Sequence, residues 1–107
     1  MSLQIKSLFE GTKFILLLEG VLDISTVESF KGSLENTTEL QEVSIDCLGL
    51  SFIDSTGVSG LVEAIKYFQD KQVCIKIINI LPDINEVFDL LGLKEIFGEN
   101  IFEVNQN

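Results

Sequence analysis

The chain has 107 residues, 46% of them hydrophobic and 22% charged, which fits one domain spanning 1–107 with a substantial core and no Pro-rich, Ser-rich or polar linker. Its 17 acidic residues against 7 basic ones give a net charge of -10, which argues against nucleic acid and against an anionic membrane surface, both of which attract clustered Lys and Arg. With no histidine, His general bases, Ser-His-Asp triads, His metal sites and phosphohistidine chemistry are excluded together.

The opening "MSLQIKSLFEG" is too polar and too alternating for a signal peptide. Leu3 and Ile5 alternate with polar residues, as in a half-buried edge strand. "EGTK", Glu10 to Lys13, is a turn short enough to imply an antiparallel partner, and "FILLLEG" follows as a second strand. The unbroken run Phe14 to Leu18 suggests cover on both faces, and falls far short of the roughly 20 residues a membrane span needs.

"SxxE" at Ser25 to Glu28 has the capping-box pattern, and Val27, Phe30 and Leu34 recur at helical spacing, so a helix is expected from Thr26 to Glu35. "EVSIDC" reads as a third strand with Val43, Ile45 and Cys47 on one face. Val58, Leu61, Ile65 and Phe68 then stripe an amphipathic helix over Thr56 to Gln69. Val73 to Ile80 is a fourth strand, and Pro82 suits the first turn of a helix striped by Ile84, Val87, Phe88 and Leu91. Gly92 stands where a left-handed cap is wanted, with Leu93 closing the contact beyond it, and a short turn leads to the last strand, "IFEV". The terminal "NQN" reads as frayed. Cys47 and Cys74 lie in strand-like segments without CxxC spacing and read as buried free thiols of a reducing cytosol.

The order β β α β α β α β predicts an α/β fold: a mixed, mostly parallel sheet of about five strands, with an N-terminal antiparallel pair and right-handed crossover helices. Sites in such sheets gather at loops leaving the carboxyl ends of strands. Two loops stand out, "GVLDIST" after the second strand and "LSFIDSTG" after the third.

"DSTG", Asp54 to Gly57, enters a helix at the end where backbone N–H groups lack partners and the dipole favours an oxyanion. Phosphate on Ser55 or Thr56 would add a charge of about -1.5 to -2 and three acceptor oxygens at that place. Gly57 lets the backbone turn and leaves room for a visiting group. The plainer reading is that Asp54, Ser55 or Thr56 is an N-cap and nothing more, contributing about 1 kcal/mol.

"FIDSTGVSGL" resembles the signature of the STAS domain, the fold of bacterial anti-sigma factor antagonists. "GVLDIST" resembles that family's "G-x-L-D-x-x-T" loop, and "LPDINEVFDLLGL" its Pro-led helix ending in "GL", so the likeness covers nearly the whole chain. Two departures stand out: Gly57-Val58-Ser59 replaces the usual "G-L-G", and "QDKQVCI" lacks the glycine often found before the fourth strand, which leaves the shape of that turn open.

The resemblance implies that Ser55 is phosphorylated by a serine protein kinase that doubles as the anti-sigma factor. Thr56 would shape the loop, Asp54 would orient the serine or order the helix start, and Asp23 would share the docking surface with Gly57. Asp23 equally suits an Asx turn before the helix at Ser25. The implied protein is a cytoplasmic monomer that binds the anti-sigma factor while unphosphorylated and is released on modification. A serine phosphatase resets it, and it has no catalytic residue, metal or cofactor of its own. Burying a dianion at an interface at a cost of ~4 kcal/mol would weaken binding about a thousandfold.

Three alternatives compete. STAS domains also serve as scaffold or regulatory modules in stress-signalling, anion-transport and lipid-transport complexes, without a phosphorylation switch. A phosphoaspartate receiver would use Asp46, but needs an acidic pair after its first parallel strand and a late Lys, and Lys76 falls inside a strand. A hydrolase would need a histidine, a metal cluster or a Gly-rich phosphate loop, and "G-x-S-x-G" is absent.

Overall fold

A computed structural model describes residues 2–35 and 39–105. The elements run β1 (Leu3–Glu10), β2 (Lys13–Leu22), α1 (Val27–Ser33), β3 (Glu42–Ile53), α2 (Ser55–Asp70), β4 (Cys74–Ile80), α3 (Pro82–Leu90), α4 (Leu93–Phe97), a 3-10 turn (Glu99–Ile101) and β5 (Phe102–Val104). The five strands form one sheet in the order β1-β2-β3-β4-β5; β1 is antiparallel to β2 and every later pair is parallel. This is the mixed, mostly parallel α/β architecture expected from the sequence. Of the "NQN" end, only Asn105 lies among the described residues.

Register explains the core. Phe14 pairs with Val43 and Val43 with Ile75, while Leu16 pairs with Ile45 and Ile45 with Ile77, so these six side chains stand on one face of the sheet. All are buried, together with Leu61, Ile65 and Phe68 of α2 and Ile84 and Phe88 of α3. Fully burying a side chain of this kind contributes about 1.5–3 kcal/mol. The opposite face carries Leu8, Ile15, Leu17 and Ile78, which are exposed or half-buried. Strand β2 is thus fully covered on one face and not on both.

Four details depart from expectation. Strand β3 runs for 12 residues, through "LGLSFI", because its second half keeps pairing with β2 up to Leu22↔Ile53. A short helix, α4, replaces the turn after Gly92, whose φ of 69° supplies the left-handed cap. Cys47 is buried, and burial with Asp46 beside it pushes its thiol up to about 12, but Cys74 is exposed at the start of β4. The capping box of Ser25 and Glu28 does not form: the N-cap of α1 is Thr26, and no side chain caps that helix. None of the helices among the described residues is long and apolar enough to cross a membrane.

The turn without a glycine is built on Gln72. Its N–H donates to Gln69 O at 3.0 Å and the Val73 N–H donates to Phe68 O at 2.9 Å, the paired bonds of a Schellman ending. That geometry holds Gln72 at φ 61°, where a side chain is disfavoured by about 1–2 kcal/mol.

Two stability outcomes follow from these positions. Gln72→Gly is expected to raise the urea midpoint, with a gain of about 1 kcal/mol after allowing for the freer unfolded chain. Gly57→Ala is expected to lower it by about 1–3 kcal/mol, because an added Cβ would press on the Leu22 carbonyl, with the carbonyl carbon at 2.8 Å.

Candidate functional site

The site forms where two parallel strands end side by side. Because Leu22 pairs with Ile53, the loop leaving β2 and the start of α2 emerge as neighbours. Gly57 fixes how closely they approach. It is buried, and the space its missing side chain leaves is filled by the Leu22 carbonyl, so it is not left open to a visitor.

Asp54 is the N-cap of α2. Its Oδ1 accepts from the Gly57 N–H at 2.7 Å, satisfying one of the orphan donors of the first turn. Its Oδ2 accepts from the Ile24 N–H at 3.3 Å, across the gap to the other loop. One carboxylate therefore joins the two segments singled out in the sequence.

Asp23 organises its own loop. Its Oδ1 accepts from the Ser25 N–H at 2.9 Å, an Asx turn, and from the Ser25 hydroxyl at 2.6 Å. Ser25 is thereby drawn back toward Asp23, which is why it does not cap α1. Thr26 completes the loop from inside: its buried hydroxyl donates to Val21 O at 2.8 Å and accepts from the Asp23 N–H at 2.9 Å. In the sequence Thr26 marks the start of a helix and the end of the "G-x-L-D-x-x-T" pattern; the structure gives that Asp-x-x-Thr spacing its physical role.

Ser55 is the first residue of α2 and is exposed, whereas Thr56 behind it is half-buried. Asp23, Asp54, Ser55 and Thr56 are thus brought together on one edge of the molecule, with Gly57 beneath them. Among the described residues no group of three or more His, Cys, Asp or Glu side chains converges as metal ligands would.

The receiver alternative does not fit this arrangement. Asp46 is half-buried on the open face of the sheet, where it accepts from the Leu48 N–H at 3.0 Å and from Asn79 Nδ2 at 3.1 Å, and Lys76 pairs with Glu103 at 3.3 Å. An antiparallel first strand and sequential strand order also depart from an all-parallel doubly wound sheet.

The hydrogen bond from the Ser25 hydroxyl, with smaller help from the Ser25 and Thr26 backbone and the Thr26 hydroxyl, holds the Asp23 carboxyl below its ordinary 3.8, against an opposing pull from partial desolvation. A carboxyl lowered in the folded state stabilises above its unfolded value and loses that contribution as pH falls through the folded one. The Ser25 amide resonance, followed by NMR, is expected to titrate with a midpoint below 3.8. A midpoint at or above that value would show that the carboxylate does not hold the loop.

The comparisons with known proteins agree with this geometry. The STAS domain family model matches residues 4–107. A curated relative, the anti-sigma-B factor antagonist of Staphylococcus epidermidis, is 24% identical over 102 residues, covering 94% of each chain. A sulfate transporter family protein from Wolinella succinogenes superposes with a TM-score of 0.79 at 16% identity, over 90% of this chain and 80% of that one. The Bacillus cell-fate determinant SpoIIAA, solved in its phosphorylated form, superposes with a TM-score of 0.72 at 18% identity, over 96% and 90% of the two chains. With the family matched along nearly its whole length, on the predicted sheet and with its signature loops joined at Asp54, the chain belongs to the STAS domain family.

Proposed function

We propose that the protein is a cytoplasmic anti-sigma factor antagonist whose affinity for an anti-sigma factor with serine kinase activity is switched off by phosphorylation of Ser55. The observation that carries this reading is the placement of Ser55: an exposed hydroxyl on the first residue of a 16-residue helix, directly after a capping aspartate. Support also comes from the name of the S. epidermidis relative and from SpoIIAA, a structural neighbour solved in phosphorylated form.

On this reading Ser55 is a substrate and not a catalyst. Its Oγ attacks the γ-phosphorus of ATP held by the kinase, its proton passes to a base of the kinase, and ADP leaves. The chain has no histidine to activate the hydroxyl, so Mg²⁺ ligation and phosphate binding fall to the kinase. The unphosphorylated hydroxyl is cheap to bury against the partner. The phosphate is a dianion that must shed its water at an interface already carrying Asp23 and Asp54. The switch therefore changes surface charge and leaves the fold alone, and a serine phosphatase restores the binding form. The antagonist acts as a monomer.

A second reading keeps the fold and drops the switch. The likeness to the W. succinogenes sulfate transporter family protein is what favours a scaffold or transport-regulatory module.

Incubation with each anti-sigma serine kinase of the same genome, with ATP, separates the two. The antagonist is expected to gain about 80 Da on Ser55, the mass of one phosphate. Ser55→Ala should stay unmodified yet bind the kinase like the parent, and Ser55→Asp should bind at least about tenfold more weakly. No modification by any of these kinases, or a Ser55→Asp variant that binds as tightly as the parent, overturns the proposal.

A further inference from the structure

Ile24 sits in the middle of the Asp23 loop and is 74% exposed. An isolated exposed apolar residue is ordinary, but this one is held in an unusual setting. Every backbone N–H from Asp23 to Val27 has an acceptor: Thr26 Oγ1 for Asp23, Asp54 Oδ2 for Ile24, Asp23 Oδ1 for Ser25, and the Asp23 carbonyl for both Thr26 and Val27. The backbone donors of the loop are all engaged, and what it presents to solvent is a β-branched side chain with few rotamers to lose on burial.

Among the described residues, that side chain belongs neither to the hydrophobic core nor to the half-buried side chains packed against it. Its neighbours, by contrast, belong to the proposed docking surface. Asp23 precedes it, and Asp54, which accepts its N–H, is followed directly by Ser55. Both are acidic, on a chain of net charge -10. A partner suited to this edge carries Lys or Arg around an apolar socket, so that charge steers the encounter and the socket supplies the buried contact.

We infer that Ile24 is the apolar anchor by which this chain docks into a basic-rimmed apolar socket of its kinase partner, and that Asp54 is the positioning residue that aims it. The inference rests on the proposed antagonist role, and it adds a residue that the hydroxyl switch does not require. Asp54 then acts twice, capping α2 through Oδ1 and fixing the reach of Ile24 through Oδ2.

The test uses the full chain and the kinase that modifies Ser55, with ATP omitted and affinity read by calorimetry. Ile24→Ser is expected to bind about tenfold more weakly or worse, while Ile24→Val stays within about threefold of the parent. Asp54→Asn separates the two uses of Asp54. Its amide oxygen can still accept from Gly57, but its NH₂ cannot accept from the Ile24 N–H. In that variant the Ile24 amide is expected to exchange with solvent about tenfold faster, with helix content unchanged by circular dichroism and with weaker kinase binding. Ile24→Ser binding within about twofold of the parent overturns the anchor while Ser55 modification still stands. Unchanged Ile24 exchange and affinity in Asp54→Asn overturn the positioning role. If no kinase binds or modifies the parent, this inference and the reading beneath it fall together.

Discussion

The Asp54 carboxylate has two oxygens, and both are committed. One closes the first turn of α2 and the other holds the loop that leaves β2. Separately these are an N-cap and a side-chain bond to a neighbouring loop, each modest in energy. Together they make two segments 30 residues apart in the chain behave as one surface. The strands make this possible. β2 and β3 run parallel and stay paired to Leu22 and Ile53, so the two chain exits are adjacent before any side chain acts. Gly57 then lets the helix seat against the Leu22 carbonyl, at a distance a side chain would forbid.

Much of this was legible in the sequence, for physical reasons that can be named. Parallel sheets and amphipathic helices write their periods plainly, so Val43, Ile45 and Cys47 in one strand and Leu61, Ile65 and Phe68 in one helix fell on their expected faces. The "DSTG" turn offered Asp54, Ser55 or Thr56 as the cap of the coming helix, and Asp54 fills that place. What stayed hidden breaks those periods. The second half of β3 is offset from β2 by register shifts, between Leu17 and Glu19 and between Gly20 and Val21. Extra residues in β3 at those points destroy the alternation that marks a strand, so "LGLSFI" looked like loop. Helix α4 has five residues, too few to display a helical stripe. Ser25 looked like half of a capping box, in which its oxygen would accept from a backbone N–H, but its hydroxyl donates to Asp23 instead.

Cys74 and Gln72 show a different limit. Cysteine is usually buried, and the residue before it looked like the start of a strand; in the fold, Cys74 is the first residue of β4 and faces solvent. At Gln72 the chain reverses with the hydrogen bonds that glycine normally supports and accepts a left-handed glutamine instead. Composition gives the need for a turn there, but not that the α2 stripe, seated through Leu61, Ile65 and Phe68, outweighs the strain of one residue.

The placement of charge would give the proposed switch its direction. A helix start is a favourable seat for an anion, so a phosphate on Ser55 would meet partial positive charge from its own backbone. The same dianion would also meet Asp54, and Asp23 on the loop that Asp54 holds, with no Lys paired to either among the ion pairs of the described residues. The free protein can tolerate this because water screens exposed charges over about 8–10 Å. In a closed interface that screening is lost, and the added charge must be matched by the partner or repelled. A partner whose basic rim is already balanced against two carboxylates would have to supply further cations for a third, doubly charged group. The modification can therefore be nearly neutral for folding and costly for binding, the asymmetry that a reversible release signal requires.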